Sequence, residues 1–363
     1  MTIHPLIREL IWNELKPTAA EYDGFLQMIR QEDYLSTQEE NSRAMRKLDL
    51  AQCVLSLPIL PPSAGVAQAC CITGFHDFKR GRRLESIRLY DRGLSIYRLL
   101  SAENPQCLYR YAAESGTIGF LMSATNEYQP RSAELLRQAV AIWKRLEQEQ
   151  PGKYRVEYAT ACDNLGYQLS LSHDVATHRE AEAVLREALA IRQQLYQQDP
   201  GRFRRDYAWT ADNLGKVLTR DSGSFAEAEE LLRTALQLRE EMNRESGGKN
   251  ISEVAWTCHN LGQLLAKKPE YAAEAEQCYR TSIRLRQKLE QLSPGTHAAD
   301  TSWVMFWLAE LLSHDPARHA ETGELYCAAL EIQQKVEQEH PGMFVLNIDR
   351  IRERYESFRN GIQ

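Results

Sequence analysis

The nonamer YATACDNLG at residues 158–166 recurs as YAWTADNLG at 207–215 and as VAWTCHNLG at 254–262. Weaker copies are YAAESGTIG at 111–119 and TSWVMFWLA at 301–309. One apolar position near the end of each copy recurs at intervals of 47 or 49 residues, at Ile118, Leu165, Leu214, Leu261 and Leu308. A period of this size indicates an array of supersecondary units.

A second segment on the same interval predicts two helices in each unit. In one copy, LLRTALQL at 231–238 follows YAWTADNLGKVL at 207–218 across a short polar turn at 221–224. Both segments space their apolar residues as one face of a helix requires. Pro-Gly pairs such as Pro200-Gly201 break the chain before the nonamers. No strand-like alternation occurs, so the sequence predicts an all-α solenoid of antiparallel helix pairs.

The small and large residues of these helices follow a known pattern. We call the first helix of each unit, which carries the nonamer, helix A, and the second helix B. A Leu-Gly pair in helix A precedes a small residue, a large apolar residue and a second small residue in helix B. The copies are Leu165-Gly166 with Ala181, Leu185 and Ala188; Leu214-Gly215 with Ala228, Leu232 and Ala235; and Leu261-Gly262 with Ala275, Tyr279 and Ser282.

This pattern resembles the tetratricopeptide repeat family over roughly residues 64–340. The resemblance implies a right-handed superhelix that binds proteins. The usual period is about 34 residues, and the longer interval here is similar to the kinesin light chain subgroup. The aromatic residue usual in helix A is missing, and a HEAT- or armadillo-like array is the alternative fold.

Three regions are expected along the chain. Residues 1–62 form a divergent N-terminal helical region or cap, 63–340 form about six helical hairpins, and 341–363 form a C-terminal capping helix. Terminal units of solenoids are atypical because they cap the stack. The alternative for the N-terminal helices is that they dock a partner or a second copy of the chain.

Composition excludes several classes of protein. The 363 residues carry a net charge of −6, which does not favour a nucleic-acid or anionic-membrane binder. No run of 18 apolar residues predicts a membrane span. The eight cysteines contain no CxxC pair and are expected to be core residues in a reducing compartment. We therefore expect a cytoplasmic protein with no nucleic-acid or membrane partner.

A search for catalytic and ligand motifs gives little. No phosphate-binding glycine loop, zinc-protease motif or nucleophile elbow occurs. SHDVATHRE at 172–180 and SHDPARHAE at 313–321 contain metal-ligand residue types, but an Asp before a helix is an ordinary N-cap. We expect no catalytic residue, no metal and no cofactor. An enzyme would need a constellation assembled across several repeats.

The polar face of helix A carries the candidate binding residues. In the resembled family helix A lines the inner concave surface, which implies a groove for a peptide or partner segment. The candidates are Asp163, Asn164, Tyr167, Trp209, Asp212, Asn213, Lys216, Arg220, Trp256, His259, Asn260, Gln263, Lys267, Trp303 and Trp307.

Asparagine recurs on this face at Asn164, Asn213 and Asn260. A carboxamide both donates and accepts hydrogen bonds. These side chains either pair with the main chain of an extended peptide, as kinesin-light-chain-like repeats imply, or tie neighbouring helices together.

Tryptophan recurs beside them at Trp209, Trp256 and Trp303. These rings are either interface residues or packing against helix A of the next unit. A groove running from Asp163 and Asp212 to Trp303 predicts a peptide with basic and apolar residues.

Helix B carries two columns of arginine, which either form an anion track or pair with glutamates of neighbouring turns. The columns are Arg137, Arg186, Arg233 and Arg280, and Arg192, Arg239 and Arg286.

The sequence thus predicts a non-enzymatic scaffold that binds a protein or peptide partner in its concave groove. The alternative function is a regulatory sensor subunit whose superhelix changes pitch on binding a peptide or small ligand. Homodimerisation through the terminal helices is a further expectation.

Overall fold

The computed structural model describes residues 62–123, 128–172, 174–339 and 345–362. These residues form thirteen α-helices and contain no strand. The chain divides into two compact units, Met1–Gln168 and Leu169–Gln363. Within each unit, helices that follow one another along the chain pack together. The predicted fold class, an all-α solenoid of antiparallel helix pairs, is confirmed.

The first unit is built on aromatic and small apolar residues. Its helices are α1 (Ala64–Lys79), α2 (Arg83–Leu100), α3 (Pro105–Ser123), α4 (Gln129–Glu149) and α5 (Arg155–Ser170), whose last two residues belong to the second unit. Tyr90 and Tyr97 of α2 and Ile118 of α3 lie in its buried core. Of the seven cysteines described in the chain, all are free and six are buried, as expected for core residues.

The second unit contains the best-preserved repeats. Its helices are α6 (Val175–Gln198), α7 (Pro200–Leu218), α8 (Phe225–Glu245), α9 (Ile251–Leu265), α10 (Ala272–Leu292), α11 (Ala298–Leu312), α12 (His319–Glu339) and α13 (Val345–Ile362). The pairs α7/α8, α9/α10 and α11/α12 each contain a short 3₁₀ turn, at Ser222–Ser224, Pro269–Tyr271 and Pro316–Arg318. Helix α13 packs against α12.

The α7/α8 pair shows why these residues form a hairpin. Asp199 caps α7 by accepting a hydrogen bond from the Arg202 backbone N–H at 3.0 Å, and Pro200 occupies the first turn. Where the two helices cross, a Cβ on Gly215 would lie 2.7 Å from Leu232 Cγ. Only glycine permits that approach, so the Leu-Gly pair of the repeat is a packing requirement.

The arginines of helix B are paired. In the first column, three guanidinium groups each bind a glutamate four residues earlier on their own helix and a second one 41 residues later on the next helix B. These sets are Arg186 with Glu182 and Glu227, Arg233 with Glu229 and Glu274, and Arg280 with Glu276 and Glu321. In the second column, Arg192 and Arg286 pair with Asp206 and Asp300 on the following helix A. These pairs support the interpretation that the arginines stabilise the repeats.

The expected N-terminal region lies outside the described residues, except for residue 62. The boundaries 63–340 and 341–363 stay predictions. Within the described ranges, no helix combines the length and the apolarity that crossing a bilayer requires.

Candidate binding groove

The second unit contains a groove with a volume of about 670 Å³, formed mainly by α7, α9 and α11. Its volume falls within the range of ligand-binding clefts. Six of the predicted binding residues line it: Lys216, Arg220, Gln263, Lys267, Trp303 and Trp307.

Four predicted residues are buried behind this surface, which corrects their expected placement on an open face. Asp212 is 0% exposed, Asn213 and Asn260 are each 2% exposed, and His259 is 7% exposed. The Asn260 side-chain amide donates to Asp212 Oδ2 at 3.1 Å. Asn260 therefore ties α9 to α7, which is the second of the two roles considered for the asparagines.

The same carboxylate neutralises a buried arginine. A guanidinium nitrogen of Arg239 on α8 lies 3.4 Å from Asp212 Oδ2, and both side chains are at most 1% exposed. Burial, reinforced by the positive charges of Arg286 and Lys216, lowers the pKa of His259 to about 3. These buried residues thus form a closed polar layer between helices, behind the residues of the same face that line the groove.

The remaining candidates, on the nonamer at 158–166 and directly after it, belong to the first unit. Asp163 is buried, and Asn164 and Tyr167 are half-buried. The Tyr167 ring lies 6.1 Å from the ring of Phe120 on α3. A binding role for these three residues stays a prediction.

The first two residues of the tryptophan series pack on arginines of helix B. The Trp209 ring centroid lies 5.9 Å from Arg239 Cζ, and the Trp256 ring centroid lies 5.9 Å from Arg286 Cζ. The Lys216 ammonium lies 5.6 Å from the Trp256 ring. Neither tryptophan lines the groove, and their stacking on arginine was not foreseen.

The third tryptophan belongs to an aromatic cluster at one end of the groove, which we define as Trp303, Phe306 and Trp307. Trp303 stacks on Phe306 at a centroid distance of 5.0 Å, and Trp307 meets Trp303 edge-on at 5.9 Å. Arg350 of α13 lies 5.3 Å from each tryptophan ring and 5.6 Å from Phe306. This cation–π contact brings the C-terminal helix into the groove wall.

The charge of the groove is positive. Its carboxylate, Glu310, is engaged by Arg354 of α13 at 2.6 Å and by the Tyr326 hydroxyl. Cations line it at Lys216, Arg220, Lys267 and Arg350. Burial lowers the pKa of Lys216, an effect that the carboxylate of Asp212 opposes. Asp212 is sealed behind the surface and does not line this groove, so the lining does not support the expected preference for a basic peptide here.

Sequence reasoning missed Arg350, Tyr279 and His178 as groove residues. Arg350 lies outside the repeats, so no periodic signal marks it. His178 was weighed only as a metal ligand, and its Nε2 lies 2.9 Å from the Val217 carbonyl oxygen. His173 lies outside the described residues. In the described part of the chain, no three His, Cys, Asp or Glu side chains are arranged to hold a metal ion.

A comparison with known protein families finds a match for one of the repeats. The model of the tetratricopeptide repeat family matches residues 208–243, which cover the C-terminal part of α7 and most of α8. No curated protein matches the chain.

Two solved structures show distant similarity. BtubC (BKLC) from P. vanneervenii is 16% identical with a TM-score of 0.45, over 75% of this chain and 89% of that one. The human IFIT1 dimer with m7Gppp-AAAA is 14% identical with a TM-score of 0.24, over 90% of this chain and 84% of that one. The matched repeat, together with its copies along the sequence, supports a chain of the tetratricopeptide repeat type.

Proposed function

We propose that this chain is a non-enzymatic interaction scaffold whose second unit binds an extended segment of a partner protein in the groove between α7, α9 and α11. Repeats of the tetratricopeptide type suggest protein partners. The observation that carries the proposal is the groove itself, which joins the aromatic cluster to four cations in about 670 Å³.

The charges favour a partner segment that is acidic and apolar. Lys267 and Arg350 are exposed at the groove, while the carboxylate of Glu310 is held by Arg354. Opposite charges across an interface guide encounter and set the choice of partner. Apolar side chains of the segment would pack on Trp303 and Trp307, residue types that dominate binding energy at interfaces.

An array of acetylated, amidated 12-residue peptides tests the proposal, with acidic, basic and apolar positions varied systematically. We expect peptides that combine Asp or Glu with apolar residues to bind best. The double variant Lys267→Glu/Arg350→Glu should weaken them by about tenfold or more, since like charges facing each other are costly. Lys288→Glu, an exposed cation of α10 that does not line the groove, is the matched control.

Two outcomes contradict the proposal. Either no peptide of the array binds the wild-type protein, or the groove variant and the Lys288→Glu control bind alike. Homodimerisation through the terminal helices and a cytoplasmic location remain separate predictions.

A further inference from the structure

The floor of the groove contains a buried tyrosine whose hydroxyl has no protein partner. Tyr279 of α10 is 0% exposed, and its hydroxyl forms no hydrogen bond with the residues that the structure describes. Its ring packs on Gly262, where an added Cβ would lie 2.9 Å away. A buried hydroxyl without a partner costs free energy, so such a group calls for a functional explanation.

The equivalent position of other repeats shows that packing does not require this hydroxyl. Leu185 and Leu232 occupy it in two earlier repeats, and both are 0% exposed. In the next repeat the residue is Tyr326, whose hydroxyl donates to Glu310. The position that corresponds to Glu310 in the Tyr279 repeat is Gln263. The pair Tyr279/Gln263 is thus a counterpart of Tyr326/Glu310 in which the hydroxyl has no partner.

A second buried donor lines the same groove. The indole Nε1 of Trp307 is buried and has no hydrogen-bond partner among the described residues. An indole N–H only donates, a phenolic O–H donates readily, and the carboxamide of Gln263 both donates and accepts. Tyr279, Trp307 and Gln263 therefore offer a neutral set of two donors and one group of mixed character.

From this set we infer that Tyr279, Gln263 and Trp307 form a subsite for the main chain of the bound segment, with the Tyr279 hydroxyl donating to a backbone carbonyl. The inference rests on the proposed function. A peptide unit supplies both an acceptor and a donor, so it satisfies the hydroxyl and the carboxamide together. An ionised carboxylate only accepts and would leave the Gln263 carbonyl without a donor.

The asparagines were expected to bind the peptide backbone through their amides, but in this subsite the amide is that of Gln263. Asn213 and Asn260 are buried, whereas Gln263 is half-buried and lines the groove. A main-chain subsite would hold the segment in register while the cations and the aromatic cluster choose its side chains.

Two single-atom variants provide the test, with the tightest-binding acetylated, amidated peptide of the array as the probe. Tyr279→Phe removes the unpartnered hydroxyl, so affinity should fall by about fivefold while the unfolding midpoint stays equal or rises. Tyr326→Phe removes a hydroxyl already paired with Glu310. That control should lower the unfolding midpoint and, because Arg354 still holds Glu310, change the affinity by less than about twofold.

Changes in the peptide identify the acceptor. Replacing single backbone amides by esters should reveal one position whose effect disappears in Tyr279→Phe. If instead the effect on affinity of changing an Asp of the peptide to Asn disappears in Tyr279→Phe, the partner of the hydroxyl is a side-chain carboxylate. The main-chain assignment is then wrong.

The failures can be told apart. If peptides bind wild type and Tyr279→Phe with equal affinity, the subsite inference is wrong, while the proposed function is not contradicted. A loss of stability in Tyr279→Phe like that of Tyr326→Phe assigns the hydroxyl to the fold and also overturns the subsite. An array in which no peptide binds the wild-type protein overturns both inferences.

Discussion

The Asn260 amide donates to Asp212 Oδ2 at 3.1 Å, and this bond lies inside the protein between two neighbouring repeats. The same carboxylate faces the buried guanidinium of Arg239. One acidic side chain therefore connects α7, α8 and α9. The polar residues of helix A hold repeats together here, and on α7 and α9 the proposed binding surface is formed by residues one turn further along each helix.

Asp212→Ala should be among the most destabilising substitutions in the second unit. It leaves the Arg239 charge buried without its partner, which typically costs about 3–5 kcal/mol. The free energy of unfolding in urea measures the effect. Asp349→Ala is the control, because its carboxylate is exposed and pairs with the exposed Arg352 on the same helix. Equal losses in the two variants would contradict the importance of the buried network.

Two glycine-to-alanine substitutions should change stability in opposite directions. Gly215→Ala forces a Cβ to 2.7 Å from Leu232 Cγ and should cost about 1–3 kcal/mol by overpacking. Gly323→Ala places a methyl group in open space on α12. It should stabilise the protein by about 0.5–1 kcal/mol, since alanine favours helix over glycine. Thermal unfolding of both variants checks the pair, and a stable Gly215→Ala would refute the close approach.

The fold could be predicted from the repeat, because residues such as Leu214, Gly215 and Leu232 recur along the chain at the interval of the repeat. The site was harder to predict. Asp212 is polar and lies opposite the apolar stripe, so an isolated helix would place it in solvent. It is buried because the next repeat supplies the amide of Asn260 and helix α8 of its own hairpin supplies the guanidinium of Arg239. Arg350 acts from a helix outside the repeats, where periodicity carries no information.

The arginine–glutamate sets of helix B should make stability depend on acid pH. Hydrogen bonds from the arginines lower the pKa values of Glu227, Glu274 and Glu321. A carboxyl with a depressed folded pKa stabilises the protein above the unfolded pKa and loses that contribution as pH falls through the folded value. The contribution should therefore be complete above about pH 5, decline as pH falls below the unfolded glutamate pKa, and be lost once pH lies below the lowered folded pKa values.

A triple variant isolates that effect. Arg186→Gln/Arg233→Gln/Arg280→Gln should lower stability at pH 7 by no more than about 1 kcal/mol per pair, since the pairs are exposed. Urea unfolding at pH 7 and at lower pH should show wild type and variant converging on acidification. Arg352→Gln, which removes a pair local to α13, should show a smaller difference at pH 7. A difference that persists at low pH would mean that the arginines act through packing instead.

Tryptophans of the same series should separate stability from binding. Trp256 packs between Arg286 and Lys216 and does not line the groove. Trp256→Ala should therefore cost about 2–3 kcal/mol of stability, somewhat less than a fully buried tryptophan. Its affinity for the tightest-binding array peptide should stay within about twofold of wild type, because it removes no groove contact.

Trp303→Ala should instead reduce affinity more than stability, because the Trp303 ring lies in the groove wall beside Arg350. Removal of an aromatic anchor should weaken the peptide by about 2 kcal/mol or more. Fluorescence polarisation gives the affinities and urea unfolding confirms that each variant is folded at the temperature used. If Trp256→Ala loses the peptide while Trp303→Ala retains it, then the binding surface includes Trp256, as one of the two alternatives for the tryptophans has it, and lies outside the groove described above.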